Sequence, residues 1–401
     1  MKILYISSEY PVETGFGGIG TYTKYAAEGM TRRGHVVHVL CRSISKQTRN
    51  INENGVTVHR IPSFDYQLPQ SRLFYMLRRI CYKFLPHTLI RHAWAKTVSA
   101  AVSKLNRETH FDIIEYPECG AEGFFLKKSL KTRLIARLHT PWEIVRRFDK
   151  LKEAPLDTIV LPYMEKLSAQ HADAVSCPSH ALADKMKHRW NLRDIKVLPN
   201  PIPLDNFSNT KGTGWIYTGR VERRKGVHIL VQAYIEVSKR KSVPPLYIIG
   251  RPYGLMPDGV SYEKHIQSLI DKSDAANKII WVKGTTLEQV KEYLSNSSVA
   301  FLPSLWENFP YSCIEALASS LVVIASDCGG FPEIINHGEN GYLIKSDDTD
   351  ALISVMHKLM DNPESVKRMS GAARKSVFRF DSDTVCKSIE EFYLQCRAEI
   401  V

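Results

Sequence analysis

Short apolar runs alternate along most of the chain with stretches whose apolar residues recur at helical spacing. The runs at 2–7, 36–41, 56–61, 112–116, 133–138, 173–177 and 196–198 are mostly apolar and short, and read as strands of a parallel sheet. Between them, 18–33 and 179–190 read as helices, the first stopped by Gly34. Pro199-Asn200-Pro201-Ile202-Pro203 breaks all regular structure. A second series begins at Trp215, with strands over 215–218, 246–249, 278–282, 298–302 and 322–325. Its helices are expected from Val227, over 311–320, 347–360 and 365–378, and finally over 382–398. Such alternation predicts an α/β fold with doubly wound parallel sheets. The break predicts two domains, 1–199 and 213–380, joined by a linker at about 199–212.

The composition changes this picture little. A chain of 401 residues, 44% apolar and 24% charged, is that of an ordinary globular protein with room for two domains. No stretch approaches the roughly 18 apolar residues that span a bilayer, and the run Ile3 to Ile6 is too short for a signal-peptide core. The eight cysteines are scattered without a C-x-x-C, so neither a disulfide framework nor a metal site is expected, and a reducing cytoplasm is the natural compartment.

Charge adds more. Residues 1–205 hold 31 Lys+Arg against 19 Asp+Glu, whereas 206–401 hold 23 against 23, so the net +12 belongs to the first part. Within it, 66–107 has no acidic residue but carries Arg72, Arg78, Arg79, Lys83, Arg91, Lys96, Lys104 and Arg107 among aromatics. Such a stretch suits an anionic membrane surface; the plainer reading is a pair of core helices with solvated basic faces. No nucleic-acid-binding motif accompanies the charge, so no nucleic-acid partner is expected.

The candidate chemistry lies at strand ends, where open parallel sheets bind ligands. Gly15 to Gly20 (G-F-G-G-I-G) makes a turn where a backbone can approach a phosphate. An NAD(P)-dependent oxidoreductase is a rival reading of that turn. Strand two, however, ends in Cys41-Arg42 and lacks the acid that would hold the ribose of NAD, although Arg42 would suit NADP. His139 follows strand five. Arg220 and Lys225 follow the strand at 215–218, where fixed cations would stabilise a leaving diphosphate without a metal. Glu307 sits in the loop after the strand at 298–302, and Glu315 lies in the helix that follows. Two carboxylates so placed would hold two polyhydroxylated parts of one anionic ligand beside a helix N-terminus. The D-x-D at Asp381-Ser382-Asp383 opens the last helix and reads as a cap.

The stretch S-L-W-E-N-F-P-Y-S-C-I-E resembles the E-x7-E signature of retaining glycosyltransferases of the GT-B fold, family 4 (glycosyltransferase group 1). The likeness continues through Asp327-Cys328-Gly329-Gly330 and Pro332-Glu333-Ile334-Ile335. G-R-V-E-R-R-K-G (219–226) is similar to the family's G-R-x(4)-K-G. Asn308 stands where the family often has Gly. The resemblance implies two Rossmann-like domains facing across a cleft, with the last helix, 382–401, returning to the first. It implies transfer of a sugar from a nucleotide donor, with UDP and glucose the first choices, to an acceptor hydroxyl with retention and no metal or other cofactor. It gives Glu307, with Asn308 and Phe309, the donor sugar; Glu315 the ribose; Arg220 and Lys225 the diphosphate. Gly17 and Gly18 approach the diphosphate, His139 contacts the sugar, and the loop at Lys283 reads the base. With the basic first half, it suggests a lipid-linked acceptor at the inner membrane face. A sugar-nucleotide epimerase of the same fold is the alternative.

Overall fold

The computed structural model describes residues 1–14, 17–45, 47–63, 81–149, 154–209, 212–240, 242–256 and 258–398. Gly15 and the 66–80 part of the basic stretch lie outside them. The chain forms two compact units, one of Met1–Ile144, Lys152–Pro201 and Ser382–Val401, the other of Val145–Leu151 and Ile202–Asp381.

The first unit holds an eight-stranded sheet. Its strands are β1 (Lys2–Ser7), β2 (Val36–Ser43), β3 (Arg49–Glu53), β4 (Val56–Pro62), β5 (Ile113–Pro117), β6 (Arg133–Arg137), β7 (Ala174–Cys177) and β8 (Ile195–Val197). Their order is β3-β4-β2-β1-β5-β6-β7-β8. All pairings are parallel except that of β3 with β4. The apolar pattern does not predict β3, because Arg49-Asn50-Ile51-Asn52-Glu53 is polar and almost wholly exposed. It is a charged edge strand, turned back by Asn54 and Gly55, both at positive φ, 51° and 82°. The helix Ser382–Ala398 packs in this unit. Arg33 Nε donates to Glu390 Oε2 at 2.8 Å, and Tyr393 Oη donates to Glu115 Oε2 at 2.7 Å. A Cβ at Gly29 would stand 2.3 Å from Cys386 Sγ, so glycine is what lets the two helices approach.

The second unit holds six parallel strands: β9 (Gly214–Thr218), β10 (Leu246–Ile249), β11 (Ile279–Val282), β12 (Ser297–Leu302), β13 (Val322–Ser326) and β14 (Gly341–Ile344). The order is β11-β10-β9-β12-β13-β14. β14 is too short and its apolar run too brief to stand out in the sequence. Every residue of β9 and β13 is buried, which explains their unbroken apolar runs. Because all six strands are parallel, their carboxyl ends share one edge. The order reverses between β9 and β12, and the loops leaving these neighbours diverge. That is the place where an open α/β sheet makes a ligand crevice.

Candidate active site

The loop after β9 turns through Gly219, at φ 138°, and a short 3-10 turn, Arg223–Lys225, to Gly226 at φ 69°. A Cβ on Gly226 would fall 1.9 Å from the carbonyl oxygen of Pro303, so only glycine lets this loop lie against the end of β12. Leu305 N donates to Arg224 O at 2.7 Å and joins the two loops. From the other side, Gly329, at φ 55°, would place a Cβ 1.7 Å from Glu307 O. Gly330 N donates to that oxygen at 3.0 Å. Cys328 Sγ and Ser346 Oγ both donate to Ser304 O at 3.3 Å. The loop carrying Glu307 is thus fixed by its own backbone.

At the centre stands Arg224, only 4% exposed. Its Nη2 donates to Glu222 Oε1 at 2.6 Å, and its Nη1 to Trp306 O at 3.0 Å and Glu307 Oε1 at 3.3 Å. Its backbone N donates to Asp149 Oδ1 at 2.8 Å. Phe148 O accepts from Arg223 Nη1 at 2.8 Å, which accounts for the grouping of Val145–Leu151 with this unit. Lys225 Nζ pairs with Glu307 Oε1, and Ser304 Oγ lies 3.4 Å from the same atom. Among the described residues these side-chain contacts of Glu307 all fall on Oε1.

The electrostatics follow from this geometry. Burial alone would raise the pKa of Glu307, but the adjacent Lys225 and Arg224 outweigh it and hold the carboxyl below its usual range. Burial opposes the Arg224 charge too, yet Glu307, Glu222 and Asp149 together raise its pKa. Burial and neighbouring Glu222 push Asp149 up to about 6 against the pull of Arg224. Burial lowers Lys225, and the Arg224 charge adds to this against the pull of Glu307.

The other expected residues are spread more widely. Arg220 is half exposed, 3.3 Å from Glu222 Oε1 and at the rim of the cluster. Asn308 and Phe309 are buried in the Glu307 loop, where Phe309 meets Phe380 edge-on at 5.2 Å. Asn308 has no positive φ, so the glycine often found there is not required by the backbone. Glu315 lies in the helix Tyr311–Ala318. Burial pushes it up to about 7, with Lys291 pulling the other way. Among the described residues no hydrogen bond or ion pair engages its carboxylate. Lys283, by contrast, is not brought to the cluster. It follows edge strand β11, pairs with Glu263 at 2.8 Å and lies over the Trp281 ring.

In the first unit, Gly17 caps the helix Gly18–Arg32, and a Cβ there would strike Glu9 Oε2 at 1.9 Å. Gly18 has nothing within 4 Å of such a Cβ, so its bareness leaves the helix N-terminus open. His139 follows β6, and its ring meets Tyr22 of that helix edge-on at 5.3 Å. Burial, helped by Arg137, lowers its pKa well below the usual value, so the imidazole is neutral. Glu118 Oε2 accepts from His139 N at 2.7 Å, while Glu165 accepts from Gly120 N and Trp142 N, each at 2.8 Å. Burial pushes Glu118 up to about 8 and Glu165 up to about 7. Arg42, considered above for NADP, stacks on the Trp94 ring at 4.6 Å.

Sequence reasoning did not single out Arg224, Glu222 or Asp149. In R-R-K any of the three cations can be the buried one, and only the 3-10 turn decides it.

Residues 16–206 match the family described as Glycosyltransferase Family 4, and residues 204–376 match Glycosyl transferases group 1. This chain belongs to the group 1, family 4 glycosyltransferases. It is a glycosyltransferase of the GT-B fold. An uncharacterised glycosyltransferase of Methanocaldococcus jannaschii is 23% identical over 98% of both chains. The MMP alpha-(1->4)-mannosyltransferase of Mycolicibacterium hassiacum is 24% identical over 94% of this chain and 93% of its own. Among solved structures, the sucrose-phosphate synthase of Thermosynechococcus elongatus superposes with a TM-score of 0.79, at 19% identity over 99% of each chain. HepE of Anabaena, solved in complex with UDP-glucose, gives 0.69 at 16% identity over 98% of this chain and 100% of its own.

Proposed function

We propose that this glycosyltransferase moves a hexose, glucose first, from a UDP-sugar to an acceptor hydroxyl on a lipid-linked or polysaccharide precursor, with retention and without a metal. The observation that carries the reading is the placement of Arg224 and Lys225 against Glu307 at the sheet's switch point. The bond that breaks leaves negative charge on the departing nucleoside diphosphate. Lys225, with Arg220 at the rim, meets that charge with cations already in place. HepE, of the same fold, is solved with UDP and with UDP-glucose, which supports this donor class.

Glu307 receives the donor-sugar hydroxyls on Oε2. Its ion pairs keep it anionic and oriented, and the same pairing makes it a weak nucleophile. Retention then comes from attack of the acceptor on the face the diphosphate leaves, with a donor phosphate oxygen taking the acceptor proton. Glu315 takes the ribose hydroxyls. Gly17, Gly18 and His139 keep the diphosphate and sugar roles given by the family resemblance, and the loop of Lys283 keeps the base. Among the described residues no helix is long and apolar enough to cross a membrane; we place the enzyme in the cytoplasm, at the inner membrane face.

A panel of nucleotide sugars with lipid-extract acceptor, read by nucleoside diphosphate release and by proton NMR of the product anomer, tests this. UDP released only with acceptor, and an α-linked product from an α-linked donor, is the expected result. Inversion at the anomeric carbon would reject the mechanism. Conversion of the donor without acceptor would favour an epimerase.

A further inference from the structure

Asp157 ties together the first turns of two helices in the first unit. Its Oδ1 accepts from Thr88 N at 2.8 Å and Thr88 Oγ1 at 2.6 Å, and its Oδ2 from His87 N at 3.0 Å. The helices are Pro86–Thr109 and Asp157–His171. Large apolar side chains stand exposed within about two turns of this junction: Phe84 (39%), Ile90 (41%), Leu156 (44%), Ile159 (67%) and Tyr163 (58%). Single exposed apolar residues are ordinary, but a group around one point marks a surface that something covers.

Among the described residues, Lys83 and Lys166 are cations beside the group, and Glu143, which acts on Glu165, is paired with Arg189 Nε at 2.6 Å. Lys83 lies exposed beside the Phe84 ring at 5.7 Å. Ile159, Tyr163 and Lys166 follow helical spacing along one stripe of the second helix. Asp157 and Glu165, the acids of that helix, are fully buried and accept backbone N–H groups. The sequence from 66 to 107 has no acid at all. Lys166 stands seven residues beyond Ile159, which is about 10 Å along the axis. A lysine on that stripe can reach headgroups on its long side chain.

We infer that this corner docks on an anionic lipid bilayer, with Ile159 and Tyr163 inserting and Lys83 and Lys166 meeting the headgroups. His87 stands 5.7 Å from the Trp142 ring, and Trp142 N is held by Glu165 of the inserting helix. The corner therefore adjoins the loop of His139, at the carboxyl edge of the first sheet. Docking brings that edge to a lipid-borne acceptor; its purpose rests on the lipid-linked reading above, whereas the binding does not.

The test is flotation of the full chain with phosphatidylcholine vesicles, with and without phosphatidylglycerol, at low salt. The wild type should float only with the anionic vesicles. Joint substitution Ile159→Ser and Tyr163→Ser should lower the bound fraction at least about tenfold, with the thermal midpoint and UDP affinity unchanged. Lys83→Glu with Lys166→Glu should lower it as well. A wild type that does not float, or a serine variant that floats as well as the wild type, would overturn the proposal. So would a wild type that elutes as a dimer and a serine variant that elutes as a monomer, since the face would then belong to a second copy. Flotation with no UDP binding would support the docking and remove the UDP-sugar reading alone.

Discussion

Arg224 is the residue on which the second unit's chemistry turns. It is buried among three carboxylates, and its removal takes away the one cation they share, leaving Lys225 on Glu307 and the rim Arg220 on Glu222. Loss of one member of such a buried group costs about 3–5 kcal/mol. Arg224→Ala should therefore lose that much in denaturant unfolding, and transfer with it, while Arg220→Ala, half exposed, should be nearly neutral for stability. Equal stability of the two variants would remove Arg224 from the centre. Glu315 gives a pH prediction. In its proposed role, ribose hydroxyls donate to its ionised form, and burial pushes the carboxyl up to about 7. Protons therefore compete below pH 7, and UDP affinity should fall as pH drops from 8 to 6, by no more than about tenfold per unit below the pKa. In Glu315→Gln that part of the fall should vanish. Calorimetry on both proteins checks this, since titration of UDP itself is common to the two.

At the scale of elements, two glycine turns lay the loops of β9 and β13 against the end and the loop of β12. Gly329→Ala forces a Cβ onto Glu307 O at a positive φ, so the Glu307 loop must shift. Transfer should fall at least about a hundredfold, as expected when a positioning element moves by about 1 Å. Wild-type activity in the alanine variant would mean that the loop adapts at no cost. The buried parallel strands were legible in the sequence because burial on both faces leaves unbroken apolar runs. β3 was not, because an exposed edge strand carries no such run. β14 offers only Tyr342-Leu343-Ile344, too few residues to declare a period. The places of Glu307 in the loop after β12 and Glu315 in the helix that follows were legible from motif spacing. The Arg224 network was not, because burial of one arginine in a run of cations is decided by backbone turns that leave no periodic trace.

At the scale of the whole molecule, the family reading rested on motifs spread from 219 to 341, and matches over 16–206 and 204–376 establish it. The concentration of the +12 charge in the first 205 residues was legible as well. It raised the expectation of an anionic partner for that part of the chain, and the docking proposed for the exposed apolar corner gives that partner as a lipid surface. The central claim, though, is that the cations of the β9 loop hold a nucleoside diphosphate. Isothermal titration of wild type and Lys225→Ala with UDP and with uridine tests it most directly, because the two ligands differ only in the diphosphate. The account predicts that the wild type binds UDP at least about a hundredfold more tightly than uridine, as two charge-assisted contacts would give, and that Lys225→Ala loses most of that difference while binding uridine unchanged. Equal affinity of the wild type for UDP and uridine, or a full preference for UDP in Lys225→Ala, would contradict it.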